Sequence, residues 1–507
     1  MTNILEWLEA SAERFPQKTA FADETQAITY RQLMARAQKI GKILDEKITP
    51  CTPVAFYLEK SCTAITGMMG AVYARGFYSV LDTRQPEARL HTIVGILDPQ
   101  VILTDRENEE KARTLFAENK AELLVIEDLL GDAGEEPEDL VSGIRPDAQD
   151  VDPLYVNFTS GSTGTPKGVV VCHRSVLDFI SCFTEIFDIT DKDVIGNQAP
   201  FDFDVSVKDI FSGLRTGATV QIIPRGFFSA PMKLLDYLCD REVTTLVWAV
   251  SAMCFVSIMN GFDYKVPTKV RKVLFSGEVL PIKQLHVWKK YLPDATFVNL
   301  YGPTEITCNC TYHVLDREYE LNETIPIGIP FPNEKVFLLN EEDRLVTEPG
   351  IPGELCAGGT CLALGYYKEP EKTAAVFTQN PLNKAYQEMI YRTGDLAKYD
   401  AEGKLLYISR KDFQVKHLGH RIELGEIETT VMSRDEVTRA CCLYDNAKKR
   451  LVLFYTGGRD KKDLMKELKL LLPPFMLPNA YHPLDEMPMT KNGKIDRKQL
   501  KEIAGIA

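Results

Sequence analysis

Residues 159–168 combine small, hydroxyl-bearing and basic side chains in an arrangement suited to binding phosphate. They read TSGSTGTPKG and follow a segment, 153–158, whose aromatic and β-branched content predicts a short buried strand. Glycine adopts backbone angles closed to other residues, so this segment can curl with its N–H groups pointing inward. Amides and hydroxyls arranged in this way suit a polyphosphate. The predicted phosphate contacts are Thr159, Ser160, Gly161, Ser162, Thr163, Gly164 and Lys167.

Two other interpretations of this segment have to be weighed. A Gly/Ser/Thr run is also typical of a flexible linker, in which Lys167 would only aid solubility. A Walker phosphate loop is the second alternative, but it requires Gly-Lys followed by Ser or Thr. Here Lys167 follows Pro166 and precedes Gly168, so the Walker pattern does not match. The phosphate interpretation therefore depends on the rest of the chain.

Two further stretches carry polar groups beside predicted strands. Residues 200–210, PFDFDVSVKDI, place three carboxylates close to aromatic side chains. Residues 296–300 predict a strand that runs directly into YGPTE, 301–305. Gly-Pro ends a strand sharply, which places Thr304 and Glu305 at the carboxyl edge of a sheet, where open α/β sheets bind ligands.

The elements that would position these residues alternate between strands and helices. An amphipathic pattern predicts a helix over 3–15, and apolar runs such as 54–57 and 101–104 alternate with helical stretches up to about residue 130. Residues 131–150 predict an exposed loop, and from about 325 frequent Gly and Pro indicate a partly antiparallel sheet. We therefore predict an α/β fold with a large N-terminal domain of mostly parallel sheets, a smaller antiparallel, barrel-like part, and a small C-terminal α/β domain.

Composition narrows the class of protein. A net charge of −13 argues against general nucleic-acid binding. The acidic N-terminus is unlike a signal peptide, and the longest uncharged stretch, 243–259, is too short for a membrane span. Twelve cysteines without regular spacing favour reduced thiols in a cytoplasmic protein, and neither Cys308-Asn-Cys310 nor Cys441-Cys442 has the spacing of a zinc pair.

Seven motifs in order resemble those of the adenylate-forming enzymes, a superfamily of acyl-CoA ligases, luciferases and adenylation domains of nonribosomal peptide synthetases. The likeness spans nearly the whole chain. It implies ATP-dependent formation of an acyl-adenylate, with release of pyrophosphate, followed by transfer to a thiol. The motifs are TSGSTGTPKG, FDFDVSV, YGPTE, GELCAGG, YRTGD, SRKDFQVKHLGHRIELGEIE and NGKIDRK.

Within this superfamily the sequence is most similar to amino-acid-activating members of the D-alanine:D-alanyl carrier protein ligase type. FDFDVSVKDIF, SGEVLP and PMTKNGKIDRK carry this likeness. No phosphopantetheine site or condensation motif accompanies them, so we expect a free-standing, monomeric enzyme that loads a separate carrier protein.

The resemblance assigns roles to individual residues on the nucleotide side. Lys494 would bridge the substrate carboxylate and phosphate, and Asp395 and Arg410 would bind the ribose. Glu305 would hold Mg²⁺, Thr304 would contact the α-phosphate and Tyr301 would stack on adenine. Three of these residues have a plainer alternative: Lys494 as an exposed lysine in a basic tail, Asp395 as a turn residue after Gly394, and Glu305 as a helix N-cap. Asn299 and Gly302 complete the predicted nucleotide set.

The resemblance also predicts domain boundaries of 1–411 and 412–507. Asp412 matches a hinge about which the small domain turns between half-reactions, bringing the region near Lys416 and Gly419 to the site as Lys494 leaves. A static domain boundary is the alternative.

Asp204 matches the carboxylate that binds the substrate's α-ammonium group in amino-acid-activating members, and pairing with Lys208 is its alternative. Ligases specific for D-alanine typically carry cysteine at the position of Ser276 and a smaller or apolar residue at Lys208. If Lys208 points inward, its charge favours an acidic substrate side chain; we expect it to point outward, because buried unpaired lysines are rare. The predicted pocket wall comprises Val205, Lys208, Val247, Leu274, Ser276, Leu300, Cys308 and Asn309.

Three functions remain open at this point. The leading hypothesis is an ATP- and Mg²⁺-dependent amino acid:carrier protein ligase, and the runner-up is an acyl- or aryl-CoA ligase of the same fold. An ATP-binding sensor without chemistry is the third, which the presence of Lys494, Asp395 and Glu305 disfavours.

Overall fold

The computed structural model describes residues 1–131, 148–161, 165–411, 414–489 and 495–506. The predictions for most of the loop at 131–150, and for Ser162, Thr163, Gly164, Asp412 and Lys494, lie outside the described residues. The chain divides into two compact units. The first comprises Met1–Asp82, Leu97–Asn157 and Gly168–Lys411, and the second comprises Thr83–Ile96, Phe158–Lys167 and Asp412–Ala507.

The described residues form helices distributed along the whole chain. They are α1 (Leu5–Arg14), α2 (Tyr30–Asp45), α3 (Cys62–Tyr73), α4 (Glu87–Leu97), α5 (Glu109–Leu115), α6 (Ile126–Leu130), α7 (His173–Ile186), α8 (Ser206–Thr216), α9 (Pro231–Asp240), α10 (Val250–Ile258), α11 (Ile282–Tyr291), α12 (Pro370–Val376), α13 (Leu424–Met432), α14 (Lys461–Leu471) and α15 (Arg497–Ala504).

The strands are β1 (Thr19–Ala22), β2 (Ala27–Thr29), β3 (Pro53–Tyr57), β4 (Phe77–Leu81), β5 (Val101–Thr104), β6 (Glu122–Val125), β7 (Pro153–Thr159), β8 (Lys167–Cys172), β9 (Val194–Asn197), β10 (Thr219–Ile222), β11 (Thr245–Ala249), β12 (Lys272–Ser276), β13 (Thr296–Tyr301), β14 (Thr311–Val314), β15 (Ile329–Pro330), β16 (Glu334–Leu339), β17 (Leu345–Val346), β18 (Gly353–Gly359), β19 (Gly365–Tyr366), β20 (Phe377–Gln379), β21 (Met389–Tyr399), β22 (Leu405–Arg410), β23 (Gln414–His417), β24 (His420–Glu423), β25 (Val437–Asp445), β26 (Arg450–Gly457) and β27 (Ala480–Leu484).

Two large sheets carry the strand ends on which the predicted site depends. The nine-stranded sheet has the order β15-β14-β13-β12-β11-β9-β10-β1-β2, and its run from β13 to β1 is parallel. The seven-stranded sheet has the order β19-β8-β7-β4-β3-β5-β6, with parallel pairing among β7, β4, β3, β5 and β6. Because β11, β12 and β13 run parallel, their carboxyl ends meet at one edge.

A third sheet of the first unit is antiparallel, as the Gly- and Pro-rich sequence after 325 predicts. It has the order β17-β16-β18-β21-β20, with β22 paired to β21. The second unit contains the hairpin β23-β24 and the three-stranded sheet β25-β26-β27. Its apolar core includes Ile427 and Val431 of α13, which pack with Leu453 and Tyr455 of β26.

The predicted α/β class is confirmed, with small shifts at element boundaries. The uncharged stretch 243–259 forms β11 and α10, since its apolar side chains fill the core around the buried Trp248. Residues 420–423 pair as a strand with β23, and α13 begins directly after them at Leu424. Among the described residues, no helix has both the length and the hydropathy needed to cross a membrane.

Candidate active site

The predicted phosphate segment leaves β7 at Thr159 and returns to the sheet in β8 at Lys167. Between them Gly161 is closely enclosed, because a Cβ atom at this position would lie 2.1 Å from the backbone oxygen of Thr165. No side chain fits there, and glycine is required for this close backbone approach. The described part of the segment is therefore a folded turn between strands, unlike the linker alternative.

Within the second unit, a carboxylate already lies against this turn. The N–H of Gly161 donates to Oε2 of Glu426 at 3.2 Å, and Arg89 pairs with the same carboxylate. Ser160 is buried, and its hydroxyl donates to the carbonyl oxygen of Arg421 at 2.8 Å. The turn thus presents an amide that binds an oxyanion, which is the property a phosphate site requires.

Asp395, Arg410 and Tyr301 meet at a single carboxylate. Asp395 and Arg410 are register partners across β21 and β22, and the guanidinium of Arg410 donates to Oδ1 of Asp395 at 2.9 Å. The hydroxyl of Tyr301 donates to Oδ2 of the same carboxylate. Burial, and then the negative charge of Asp395, raise the pKa of Tyr301 well above its usual value. Three residues predicted separately for nucleotide binding therefore form one cluster.

Thr304 and Glu305 lie in a short 3₁₀ helix, Thr304–Ile306, directly after β13. Glu305 is fully buried, and the hydroxyl of Tyr366 donates to its Oε1 at 2.7 Å. The residue preceding this turn is Pro303, so Glu305 lies inside the turn and is not its N-cap. A buried carboxylate oriented by a phenol is a hard oxygen ligand of the kind that Mg²⁺ prefers.

Gly302 allows the loop after this turn to pack against the strand end. A Cβ atom at Gly302 would lie 2.4 Å from the Cα atom of Asn309. Thr307 and Cys308 both have positive φ angles, 52° and 81°, which reverse the chain and direct it back along β13. The two predicted motifs, the nucleotide set and the pocket wall, are therefore in direct backbone contact here.

Asp204 lies in the turn that precedes α8, half-buried and outside the helix. The negative charge of Asp204 contributes to the raised pKa of two buried groups. Burial, and then the charge of Asp204, raise the pKa of Tyr155 well above its usual value. Burial raises the pKa of Cys308 to about 12, and Asp204 adds to that rise while Lys208 opposes it. The pKa values of Tyr155 and Cys308 therefore both respond to Asp204, the carboxylate of the predicted pocket.

The expectation that Lys208 points outward is wrong. Its side chain is fully buried, and its ammonium group donates to Oδ1 of Asn309 at 2.7 Å and to Oγ of Ser276 at 3.4 Å. The reason is that Lys208 lies in the first turn of α8, whose buried face carries Val207 and Ile210 into the core. Across the described ranges, no carboxylate oxygen lies within the 4 Å of an ion pair with this ammonium group.

The parallel register shows which residues share the floor of the pocket. Ser276, at the end of β12, is the register partner of Ala249 on β11. Val247 of β11 pairs with Leu274 of β12, two residues before the strand ends. Leu300 on β13 is buried beside Asn299, whose amide donates to the carbonyl oxygen of Pro326 at 2.8 Å. Val205 precedes α8. The predicted wall residues thus lie at adjacent strand ends, with Val247 and Leu274 deepest.

Sequence reasoning missed three residues of this site. Tyr366 bonds Glu305, Tyr155 lies beside Asp204, and Ala249 shares the level of Ser276. Tyr155 lies in the strand directly before the phosphate segment, and this position in the sequence could have indicated a role in the site. No local pattern marks Tyr366 or Ala249, because their positions depend on strand pairing.

Comparison with known proteins places the chain among the AMP-binding enzymes. Residues 8–367 match the family described as AMP-binding enzyme. Zwittermicin A synthase ZmaJ of Bacillus cereus is 32% identical over 511 residues, which cover 98% of this chain and 94% of that protein. Tyrocidine synthase 3 of Brevibacillus parabrevis is 31% identical over 99% of this chain, but the chain spans only 8% of that protein.

A solved structure agrees with these sequence relatives. Holo-PA1221, described as a nonribosomal peptide synthetase protein containing adenylation and carrier domains, superposes with a TM-score of 0.82 at 25% identity. The match covers 99% of this chain and 84% of that one. Together with the clustered residues described above, these findings show that the chain belongs to the AMP-binding, adenylate-forming enzyme family.

Proposed function

We propose that this enzyme activates an amino acid as its adenylate and then transfers the aminoacyl group to the phosphopantetheine thiol of a separate carrier protein. The observation that carries the proposal is the position of Asp204. It is a half-buried carboxylate in the turn before α8, and its negative charge contributes to the raised pKa of the buried Tyr155 and of Cys308 in the predicted pocket wall. Such a carboxylate favours a ligand that brings a positive charge, and the α-ammonium group of an amino acid does so.

The proposed reaction has two balanced steps. A carboxylate oxygen of the amino acid attacks the α-phosphorus of ATP, the bond to the β-phosphate breaks, and pyrophosphate leaves. The sulfur of the carrier thiol, after losing its proton, then attacks the carbonyl carbon, and the bond from that carbon to the AMP oxygen breaks. The first step brings an anionic carboxylate toward a phosphate, and the second releases AMP as an anion, so positive groups and oriented N–H donors lower both barriers.

On the nucleotide side, Asp395 accepts hydrogen bonds from the ribose hydroxyls in this proposal. Arg410 and Tyr301 hold the carboxylate in place by bonding one oxygen each. The turn around Gly161 receives the phosphates, and Thr304 and Lys494 act at the α-phosphate. Glu305, oriented by Tyr366, holds Mg²⁺, which supplies positive charge to the phosphate oxygens.

On the amino-acid side, Lys208 favours a substrate whose side chain bears a carboxylate, such as aspartate or glutamate. Its ammonium group has three N–H donors, and the described protein acceptors are one amide oxygen and one hydroxyl. The neighbouring Asp209 is fully buried, and burial raises its pKa to about 7, so this carboxylate is only partly charged near neutral pH. A substrate carboxylate would complete the pairing of the buried ammonium group.

The carrier protein in this proposal is a partner in trans. Two solved structures with the same fold are described as containing adenylation and carrier domains, holo-PA1221 and the fused NpsA-ThdA from Klebsiella oxytoca. All twelve cysteines of this chain are free, which suits a reducing, cytoplasmic setting with its ATP and thiol carriers.

Pyrophosphate exchange tests the proposal directly. The full-length protein is incubated with ATP, Mg²⁺, labelled pyrophosphate and a panel of L- and D-aspartate, L- and D-glutamate, L- and D-alanine, and amine-free carboxylic acids. We expect exchange with an amino acid, highest for an acidic one. We expect Asp204→Ala to abolish it, while Asp240→Ala, which removes an exposed carboxylate of α9, leaves it unchanged.

Three results separate the alternatives. Exchange only with acids that lack an amine would support an acyl- or aryl-CoA ligase. Tight ATP binding without exchange would support a sensor. If Lys494→Ala forms aminoacyl-AMP at the unaltered rate, the proposed role of that lysine is wrong.

Transfer of the aminoacyl group is measured separately, by mass spectrometry of a carrier protein bearing phosphopantetheine, with coenzyme A as the competing acceptor.

A further inference from the structure

A second cluster of metal-ligand side chains lies on the first unit. Asp178 belongs to α7, Glu334 opens β16, and Cys361 follows β18. One potential ligand atom from each residue lies within 4.8 Å of the others. None of the three belongs to the nucleotide or amino-acid sets described above. Three separate elements of the fold therefore bring two carboxylates and a thiol to one point.

Each carboxylate of this cluster has one oxygen fixed by an N–H donor, and the second oxygen of Asp178 is directed toward the thiol. The amide of Asn333 donates to Oδ1 of Asp178 at 2.7 Å, and the backbone N–H of Cys361 donates to Oε1 of Glu334 at 3.1 Å. The remaining oxygen of Asp178, Oδ2, accepts from Sγ of Cys361 at 3.8 Å. Outer hydrogen bonds of this kind orient the inner atoms of metal ligands.

The second oxygen of Glu334 is the feature that points to a ligand. Glu334 is 8% exposed, and its Oε2 atom is buried without a hydrogen-bond partner among the described residues. Neither Glu334 nor Asp178 forms an ion pair with a lysine or arginine in the described part of the chain. Burial of an unpartnered carboxylate oxygen costs free energy that a bound cation would recover.

A fourth donor stands near the cluster. Cys182 lies one helical turn after Asp178 on α7 and therefore on the same face. It is half-buried, and its pKa is raised by burial and then by nearby negative charges, those of Asp178 and Glu334 included. The thiol of Cys182 is directed to the carbonyl oxygen of Pro332 at 4.0 Å, so a water molecule is the fourth ligand of the site proposed below.

We propose that Asp178, Glu334 and Cys361 bind a divalent transition-metal ion, with Zn²⁺ as the preferred ion. One thiolate and two monodentate carboxylates, plus a fourth ligand, suit a tetrahedral zinc site better than the all-oxygen shell of Mg²⁺ or Ca²⁺. Binding exchanges the thiol proton of Cys361 for the metal and releases that proton to solvent. No redox step is involved.

The position of the site suggests a structural role for the ion. It would link α7, which follows β8 of the seven-stranded sheet, to two strands of the antiparallel sheet. The carbonyl oxygen of Cys361 also accepts from the hydroxyl of Thr307 at 2.6 Å, and Thr307 begins the loop that carries Cys308 and Asn309. A metal at this site therefore stabilises the segment that supports the amino-acid pocket.

Metal content and affinity test the proposal in the full chain. The protein, freed of tags and metals and kept reduced with a phosphine, is titrated with Zn²⁺ in the presence of excess Mg²⁺ and without nucleotide. We expect one Zn²⁺ per chain by mass spectrometry of metals. With Co²⁺ we expect the visible absorption of a tetrahedral thiolate complex.

Variants of the proposed ligands and of Asn333 test whether Zn²⁺ binds at this cluster. Cys361→Ser and Asp178→Asn are expected to weaken Zn²⁺ binding at least about 10-fold, and Asn333→Gly, which keeps the positive φ of 65°, by about 10- to 100-fold. Asp178→Asn is nearly isosteric and half-exposed, so it tests the site even if Cys361→Ser fails to fold. Cys239→Ser, a half-buried cysteine elsewhere, is the matched control and should bind normally. Substoichiometric Zn²⁺, or stoichiometric Zn²⁺ unaffected by Asp178→Asn and Asn333→Gly, would overturn the proposal.

Discussion

The ammonium nitrogen of Lys208 lies 2.7 Å from the amide oxygen of Asn309, and both side chains are buried. The contact joins α8 to the loop after β13, so it connects two elements that are 101 residues apart in the chain. Ser276, at the end of β12, contributes a third polar atom. A positive group, an amide and a hydroxyl thus form a buried polar cluster among the residues of the predicted amino-acid pocket.

Replacing Lys208 with methionine removes this positive charge and keeps most of the side-chain volume. We expect the ratio of kcat/KM for an acidic over an apolar amino acid to fall by roughly 100-fold, because a charge-assisted hydrogen bond is lost from a buried site. Pyrophosphate exchange with both substrates, measured for each protein, gives the ratio. An unchanged ratio would show that the substrate side chain does not reach Lys208.

Asp395 offers a separate test on the nucleotide side. Asp395→Asn keeps the shape of the side chain but loses a negative acceptor, and its NH₂ group cannot accept from a ribose hydroxyl. We expect ATP affinity to fall about 10- to 100-fold, corresponding to the loss of one charge-assisted hydrogen bond, because the asparagine keeps one acceptor oxygen. Calorimetric titration measures this loss. Asp343→Asn removes another carboxylate that pairs with an arginine, Arg392, and should leave ATP affinity unchanged.

The sequence predicted elements better than it predicted the direction of side chains. Residues 153–158 and 296–300 carry strand patterns that local chemistry dictates, and both form strands, which extend one residue further to Thr159 and Tyr301. Asp395 and Arg410 were predicted separately, and their pairing follows from the register of β21 on β22. Register depends on the whole sheet, so a local pattern does not reveal it.

Lys208 shows why the direction of some side chains could not be predicted from the sequence. The expectation of an exposed lysine reflects the average cost of burying an ammonium group. Here two acceptors arrive from distant elements, Asn309 from a loop with two positive φ angles and Ser276 from β12. Neither acceptor is near Lys208 in sequence, so the compensation is visible only in the folded chain.

Gly302 should be intolerant of even the smallest side chain. In Gly302→Ala the new methyl group would lie 2.4 Å from the Cα atom of Asn309 and 2.8 Å from two further backbone atoms, which cannot move independently. We expect a loss of at least about 2 kcal/mol in the free energy of unfolding, together with reduced pyrophosphate exchange.

The matched control for this change is Gly95→Ala in α4, where a Cβ atom meets nothing within 4 Å. Alanine favours the helix there, so stability should stay the same or rise by up to about 1 kcal/mol. Urea titration compares the two variants. A Gly302→Ala protein as stable as the wild type would mean that the contact between the nucleotide and pocket motifs is looser than described.

The stability of the first unit should depend on pH through His173. Burial lowers the pKa of this histidine from 6.5 to about 4, and its Nδ1 accepts from the backbone N–H of Ile4 at 3.3 Å, so the folded state requires the neutral ring. As the pH falls, this histidine takes up a proton near pH 6.5 in the unfolded chain but only near pH 4 in the folded chain. Stability contributed by this group is therefore complete above about pH 6.5 and declines as pH falls toward 4, by about 3 kcal/mol.

His173→Asn tests this contribution, because its side-chain oxygen can still accept from Ile4 but does not titrate in this range. All three tryptophans of the chain, Trp7, Trp248 and Trp288, lie in the first unit, so their fluorescence reports its unfolding in urea. We expect the wild type to lose more stability than the variant between pH 7.5 and pH 4.5. Carboxylates that titrate in both proteins cancel in this comparison. Parallel pH profiles would show that His173 is not the group that responds.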